Sequence, residues 1–152
     1  MSRLLFLAWV ALWAVSCSAV AGEARILKVL PHWLDAQGRH ALQPSLYERD
    51  AYQAKLRTEP GLAKGLRYDV QWKVPKASAD GLVLRLELRS GAGTGAHSTT
   101  LEAPATPGWF GRGWCRLKLS DEQFQSLGQV TAWRATLRRG EAEVAEEKSF
   151  LW

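Results

Sequence analysis

Leu66-Arg67-Tyr68-Asp69-Val70-Gln71-Trp72-Lys73-Val74 alternates apolar and polar side chains at every step, and Leu82-Val83-Leu84-Arg85-Leu86-Glu87-Leu88-Arg89 repeats an alternation shortly after it. A strand turns successive side chains to opposite faces, so period-two runs of this length predict half-buried β-strands. Working outward, Trp114-Cys115-Arg116-Leu117-Lys118-Leu119 alternates in the same way, with Cys115, Leu117 and Leu119 inward. Ser98 to Leu101 is a weaker strand behind a glycine-rich loop, Gly91-Ala92-Gly93-Thr94-Gly95. In Val130 to Arg138, Trp133, Ala135 and Leu137 share a face. Arg139-Gly140-Glu141 then marks a turn into a closing strand, Val144 to Trp152. Near the start, Arg25 to Leu30 reads as a first strand that Pro31 ends.

Asp35-Ala36-Gln37-Gly38 has the Asp-first, Gly-fourth order of a type I turn. One helix is predicted, at roughly residues 46–57. Ser45 and Glu48 form a capping box, Pro60-Gly61 lie beyond its end, and Tyr47, Ala51 and Ala54 share a face widened by Tyr52 and Leu56. Ser120-Asp121-Glu122-Gln123-Phe124 adds a single capped turn. Six to eight short strands with a turn about every ten residues predict a mainly β fold. The expected architecture is an antiparallel β-sandwich with one short helix near the N-terminus; a small barrel with a covering helix is the alternative.

The N-terminus carries Arg3 and then the apolar run Leu4 to Val15, followed by Ala19-Val20-Ala21. This is the charge, core and small-x-small pattern of a signal peptide, and the core is too short for the roughly 20 residues of a membrane span. Residues 1–21 are therefore read as a signal peptide and 22–152 as one β-sandwich domain, periplasmic or extracellular. Ala14-Val15-Ser16-Cys17 is a permissive lipobox and keeps a second route open, a lipid anchor at Cys17. Cleavage after Ala21 leaves 19 basic against 15 acidic residues, spread along the chain without a basic run. Such an excess attracts anionic envelope polymers weakly. Nucleic acid is not an expected partner, since no helix-turn-helix or RNA-binding signature occurs. Cys115 alone remains, so no intrachain disulfide can form, and apolar burial must hold the domain. Six tryptophans remain to supply it.

This strand pattern, with Trp72 as the inter-sheet tryptophan, resembles the disulfide-free immunoglobulin-like or fibronectin-III-like modules of exported bacterial proteins. The cysteine pair and tyrosine corner of true immunoglobulin domains are absent. Leu30 to Tyr52 also resembles stretches of secreted bacterial proteins to which no activity attaches.

Cys115 with His97 as base would make a thiolate nucleophile, but an inward cysteine on an alternating strand behaves as a small hydrophobe. His32, Asp35 and His40 match no zinc spacing. Glu48, Asp50, Glu59, Asp69 and Glu87 occupy positions that a solvated face would occupy, and Glu141, Glu143, Glu146 and Glu147 fit protection of a sheet edge. No metal, cofactor or catalytic residue is therefore expected. The functional expectation rests on aromatic residues in or near loops: Trp33, Trp109, Phe110 and Trp114, with Arg112 among them. Exposed rings beside hydrogen-bonding groups anchor protein interfaces and also stack on sugars; buried, they would cap the open ends of a sandwich. The expected function is a non-enzymatic exported interaction module that binds another envelope or extracellular protein. A small carbohydrate-binding module and an enzyme with an unfamiliar site are the alternatives.

Overall fold

The computed structural model describes residues 23–59, 61–75, 80–91 and 97–152. The expected signal segment with its expected cleavage after Ala21, Cys17, and most of the glycine-rich loop lie outside the described residues. In chain order the elements are β1 (Arg25–Leu34), α1 (Leu46–Thr58), β2 (Gly65–Lys73), β3 (Leu82–Ser90), β4 (Ser98–Pro104), β5 (Arg112–Lys118), α2 (Asp121–Leu127), β6 (Val130–Arg139) and β7 (Ala142–Lys148). They form two antiparallel sheets, a three-stranded one ordered β1-β2-β5 and a four-stranded one ordered β4-β3-β6-β7. The mainly β expectation holds, with two short helices rather than one.

The alternating runs place their apolar residues as expected. Leu66, Tyr68, Val70 and Trp72 of β2, Leu82, Leu84, Leu86 and Leu88 of β3, and Cys115 and Leu117 of β5 belong to one buried cluster. That cluster draws on both sheets. Trp72 is fully buried, and its indole N–H donates to Cys115 Sγ at 3.3 Å. Leu119, just past β5, and Leu127 of α2 join the same cluster. The expected single capped turn is a full short helix because Leu127 continues it into the core. Ser120 and Gln123 close its capping box from both sides.

Three local expectations are corrected. Pro31 does not end β1, which runs to Leu34 with Pro31 opposite Tyr68. A proline that cannot donate is tolerated there because β1 is an edge strand. Ser45 stands at the N-cap of α1 but its side chain makes no capping bond. The inward residues of α1 are Gln53 and Leu56, while Tyr47 points to solvent. Polar Gln53 is inward because β1 leaves backbone groups unpaired at its edge. The Gln53 amide accepts from Trp33 N–H (2.8 Å) and donates to the Trp33 and His40 carbonyls (2.9 and 2.8 Å). A side-chain amide thus takes the place of a neighbouring strand and docks the helix. Finally, β7 stops at Lys148. Ser149 Oγ accepts from Trp133 N–H at 2.9 Å, the chain turns, and Trp152 lies beneath the Arg89 guanidinium, 3.6 Å from the ring centroid.

The predicted turn at Asp35 forms, with Gly38 N–H donating to Asp35 O at 2.9 Å and Gly38 at φ 74°. The Asp35 carboxylate accepts from Gln37 N–H, Arg39 N–H, Arg39 Nε and Tyr52 O–H, at 2.7–2.9 Å. Burial pushes its pKa up, but the bonds from Arg39, Tyr52 and Gln37 outweigh that and bring it down from 3.8 to about 2. A carboxylate depressed in the folded state stabilises fully above its unfolded pKa and loses that contribution as pH falls through the folded one. Thermal midpoints measured between pH 4 and pH 2 are therefore expected to fall more steeply for the native protein than for Asp35→Asn. Parallel curves would show that the carboxylate contributes nothing.

Candidate functional site

The sequence-predicted residues separate into three places. Trp109 and Phe110 sit at the two corners of a turn between β4 and β5. Gly111 N–H donates to Gly108 O (3.1 Å), Gly108 N–H donates to Arg112 O (2.7 Å), and Gly111 at φ 65° follows the corners. A tight turn with a left-handed glycine after it is a common compact loop, and its corner side chains project outward. Trp109 is 92% exposed and Phe110 82% exposed. The turn is tied to the end of β2 by Val74 N–H donating to Gly111 O at 2.8 Å. These rings do not cap the core.

Trp114 is 50% exposed and lies on β5 opposite Gln71. Residues directly opposite share a face, and Gln71 belongs to the polar set of β2, so Trp114 stands on the outer face of the three-stranded sheet. Arg112, two residues earlier, shares that face. Trp33 is elsewhere. It lies within β1, not in a loop, opposite the buried Leu66, and so points to the inner face. Its ring meets Phe124 of α2 edge-on, with centroids 6.1 Å apart, and lines a cleft of about 520 Å³ with Leu56 and Arg57. The structure therefore brings Trp109, Phe110, Arg112 and Trp114 to one end of the three-stranded sheet and leaves Trp33 out.

The other constellations resolve into structural roles. Cys115 is buried, bonded by Trp72, and its thiol donates toward Pro104 O at 3.6 Å. Burial pushes its pKa up, only partly countered by the Trp72 N–H, which keeps it a thiol. His97 is at the opposite end of β4 from Pro104, beside Ser98, and its carbonyl accepts from Ser90 N–H. Asp35 serves its turn. The His32 and His40 rings are 4.9 Å apart, and His32 Nε2 is 3.5 Å from Asp69 Oδ2. Burial is the leading cause that lowers the pKa of both histidines. Among the described residues no group of three or more His, Cys, Asp or Glu side chains could hold a metal ion. Glu143, Glu146 and Glu147 lie on β7, an edge strand, as edge protection requires.

Strand register assembles one feature the sequence did not reveal. Across β1, β2 and β5, the outer face carries four rungs: Arg25–Lys73–Arg112, Lys28–Gln71–Trp114, Leu30–Asp69–Arg116 and His32–Arg67–Lys118. Seven of these side chains are Lys or Arg and one is acidic. The signal was present as the polar half of each alternation, but only the pairing of β1 and β5 with β2 shows that these residues lie together.

Among known proteins, the chain matches no family model, no curated protein and no solved structure. Its class therefore follows from its own geometry: a small, mainly β domain of two antiparallel sheets, with an exposed aromatic turn at one end. Among the described residues no helix is long and apolar enough to cross a membrane.

Proposed function

We propose that this chain is an exported, non-enzymatic interaction module that binds another envelope or extracellular protein through Trp109 and Phe110, with Arg112 and Trp114 beside them. The observation that carries this reading is the exposure of two adjacent aromatic side chains on a short, hydrogen-bonded turn. Large rings held rigidly in water lose little conformational entropy on docking and bury much area when covered, which is the economy of an interface anchor. The strand division, β1-β2-β5 against β4-β3-β6-β7, supports a fibronectin-III-like or immunoglobulin-like sandwich as the scaffold. A non-catalytic role is supported by Cys115 being occupied in the core.

The test is Trp109→Ala/Phe110→Ala. Because neither ring contributes to the core, stability is expected to change by no more than about 0.5 kcal/mol. In paired affinity capture from envelope extracts, proteins held by the native bait are expected to be lost from the double variant. A large loss of stability, or the same proteins on both baits, would overturn the reading. Carbohydrate binding is the second reading, favoured by the placement of Trp114 on an open sheet face between Arg112 and Arg116.

A further inference from the structure

The four-stranded sheet carries arginines on its outer face too, but Arg85 and Arg134 there are matched by acids and Arg89 is covered by the Trp152 ring. Arg85 lies within 3.9 Å of Glu87 and 3.8 Å of Glu102, and Arg134 reaches Glu87 at 2.6 Å and Glu146 at 3.7 Å. On the three-stranded sheet, Asp69 takes Arg67 at 2.8 Å and His32 at 3.5 Å, and there the matching ends. Among the described residues, Arg25, Lys28, Lys73, Arg112, Arg116 and Lys118 form no ion pair within 4 Å. The register sets like charges directly opposite one another: Arg25 and Arg112 on either side of Lys73, and Lys118 opposite Arg67.

Like charges in directly opposed positions destabilise a sheet. Edge protection explains cations on β1 and β5, the two edges, and Asp69 accounts for Arg67, but neither explains Lys73 on the central strand. A local arrangement that costs stability without a structural return marks a functional surface. We propose that this face binds an anionic polysaccharide, a polymer of sugar rings bearing carboxylate or comparable acidic groups.

Three observations select that occupant. The rungs repeat roughly every 6.8 Å along the strands and the strands lie about 4.8 Å apart, so the cations cover a patch about 20 Å long. An extended polyanion reaches all of it. A membrane touched by the aromatic turn would meet chiefly the Arg25–Lys73–Arg112 end, and Leu27 and Leu30 of β1, each little more than a third exposed, are too few to make an apolar surface. Trp114, half exposed between Arg112 and Arg116, offers one ring for stacking on a sugar. A single-stranded nucleic acid is held by several rings stacking on successive bases, and this face supplies one. The surface shares Arg112 and Trp114 with the partner surface proposed above but not Trp109 or Phe110, and it deepens the carbohydrate reading rather than the protein-partner one.

The experiment uses polygalacturonate as the polyanion, neutral dextran as its uncharged counterpart, single-stranded oligothymidylate, and phosphatidylglycerol vesicles. Tryptophan emission is followed at low and high salt. The native protein is expected to bind polygalacturonate with a salt-sensitive affinity and to ignore dextran. Lys73→Glu/Lys118→Glu puts acids opposite Arg25, Arg112 and Arg67 while leaving every aromatic residue in place. It is expected to weaken binding by about tenfold or more, and to raise the melting temperature. That pairing excludes misfolding as the cause. Trp109→Ala/Phe110→Ala is expected to bind polygalacturonate like the native protein. Unchanged affinity in the charge-reversed variant, no binding to polygalacturonate, or tighter binding to oligothymidylate or vesicles would each overturn the proposal.

Discussion

Gly113→Ala is expected to destabilise the protein by about 3 kcal/mol, the upper part of the range for an overfilled core. Gly113 lies opposite Trp72 across β2 and β5. A methyl group at Gly113 would stand 2.7 Å from Trp72 Cε2, closer still to Cζ2, and 2.9 Å from the Thr106 carbonyl oxygen. Neither obstacle yields readily. Trp72 is fully buried and bonded to Cys115, and Thr106 O is backbone. The missing side chain is thus a space that the indole fills. Urea unfolding of the single variants and of Gly113→Ala/Trp72→Phe measures this contact directly. Phenylalanine withdraws the outer ring atoms, so the double variant is expected to lose less than the sum of the two single losses, by roughly 1–2 kcal/mol of coupling. Simple additivity would show that the collision is relieved elsewhere.

Gln53→Leu is expected to cost about 2–3 kcal/mol, because three part-buried backbone groups stripped of partners pay their desolvation. Leucine nearly preserves the volume, so a cavity does not account for the loss. What disappears is the partner of Trp33 N–H and of the Trp33 and His40 carbonyls. Gln53→Glu is the sharper variant. It keeps an acceptor for Trp33 N–H but turns a carboxylate oxygen toward two carbonyls, and it is expected to cost at least as much as leucine. Chemical denaturation quantifies both. If glutamate were tolerated as well as glutamine, the amide would not be what docks α1 on the edge of β1.

The strands were legible because burial on one face writes itself into the sequence as alternation. Tyr68, Val70 and Trp72, or Leu84, Leu86 and Leu88, admit no other comfortable arrangement. Glycine in the turns at Gly38 and Gly140 was readable for a similarly local reason, since each adopts positive φ. The failures are all non-local. Pro31 reads as a stop unless the strand is known to be an edge. Gln53 reads as a solvated helix residue unless a strand with unpaired backbone groups lies beneath it, and the spacing that puts Tyr47 on one face with Ala51 and Ala54 does not say whether that face is buried.

The site divides along the same line. Trp109, Phe110, Arg112 and Trp114 were found because aromatics among glycines and prolines are conspicuous locally. Trp33 was grouped with them by residue type, and only its register opposite Leu66 turns it inward. The cationic face was invisible for the deeper reason that Arg25, Lys73 and Arg112 are far apart in sequence and adjacent only through β2. A net charge that looks diluted along the chain is concentrated by strand pairing. Of the acidic residues on strands, by contrast, Asp69 alone lies on the three-stranded sheet, while Glu87 and Glu102 fall among the arginines of the four-stranded sheet and Glu143, Glu146 and Glu147 along β7.

The central claim is that this concentration is real and left unneutralised by the protein itself. It is tested most directly by the melting temperature of Lys73→Glu/Lys118→Glu, without ligand, at low and at high salt. Replacing opposed like charges by opposed unlike ones is expected to raise the midpoint at low salt, with the gain shrinking as salt screens it. A midpoint that falls, or a gain indifferent to salt, would mean that the cations of β1, β2 and β5 do not confront one another, and the account of the face would fail.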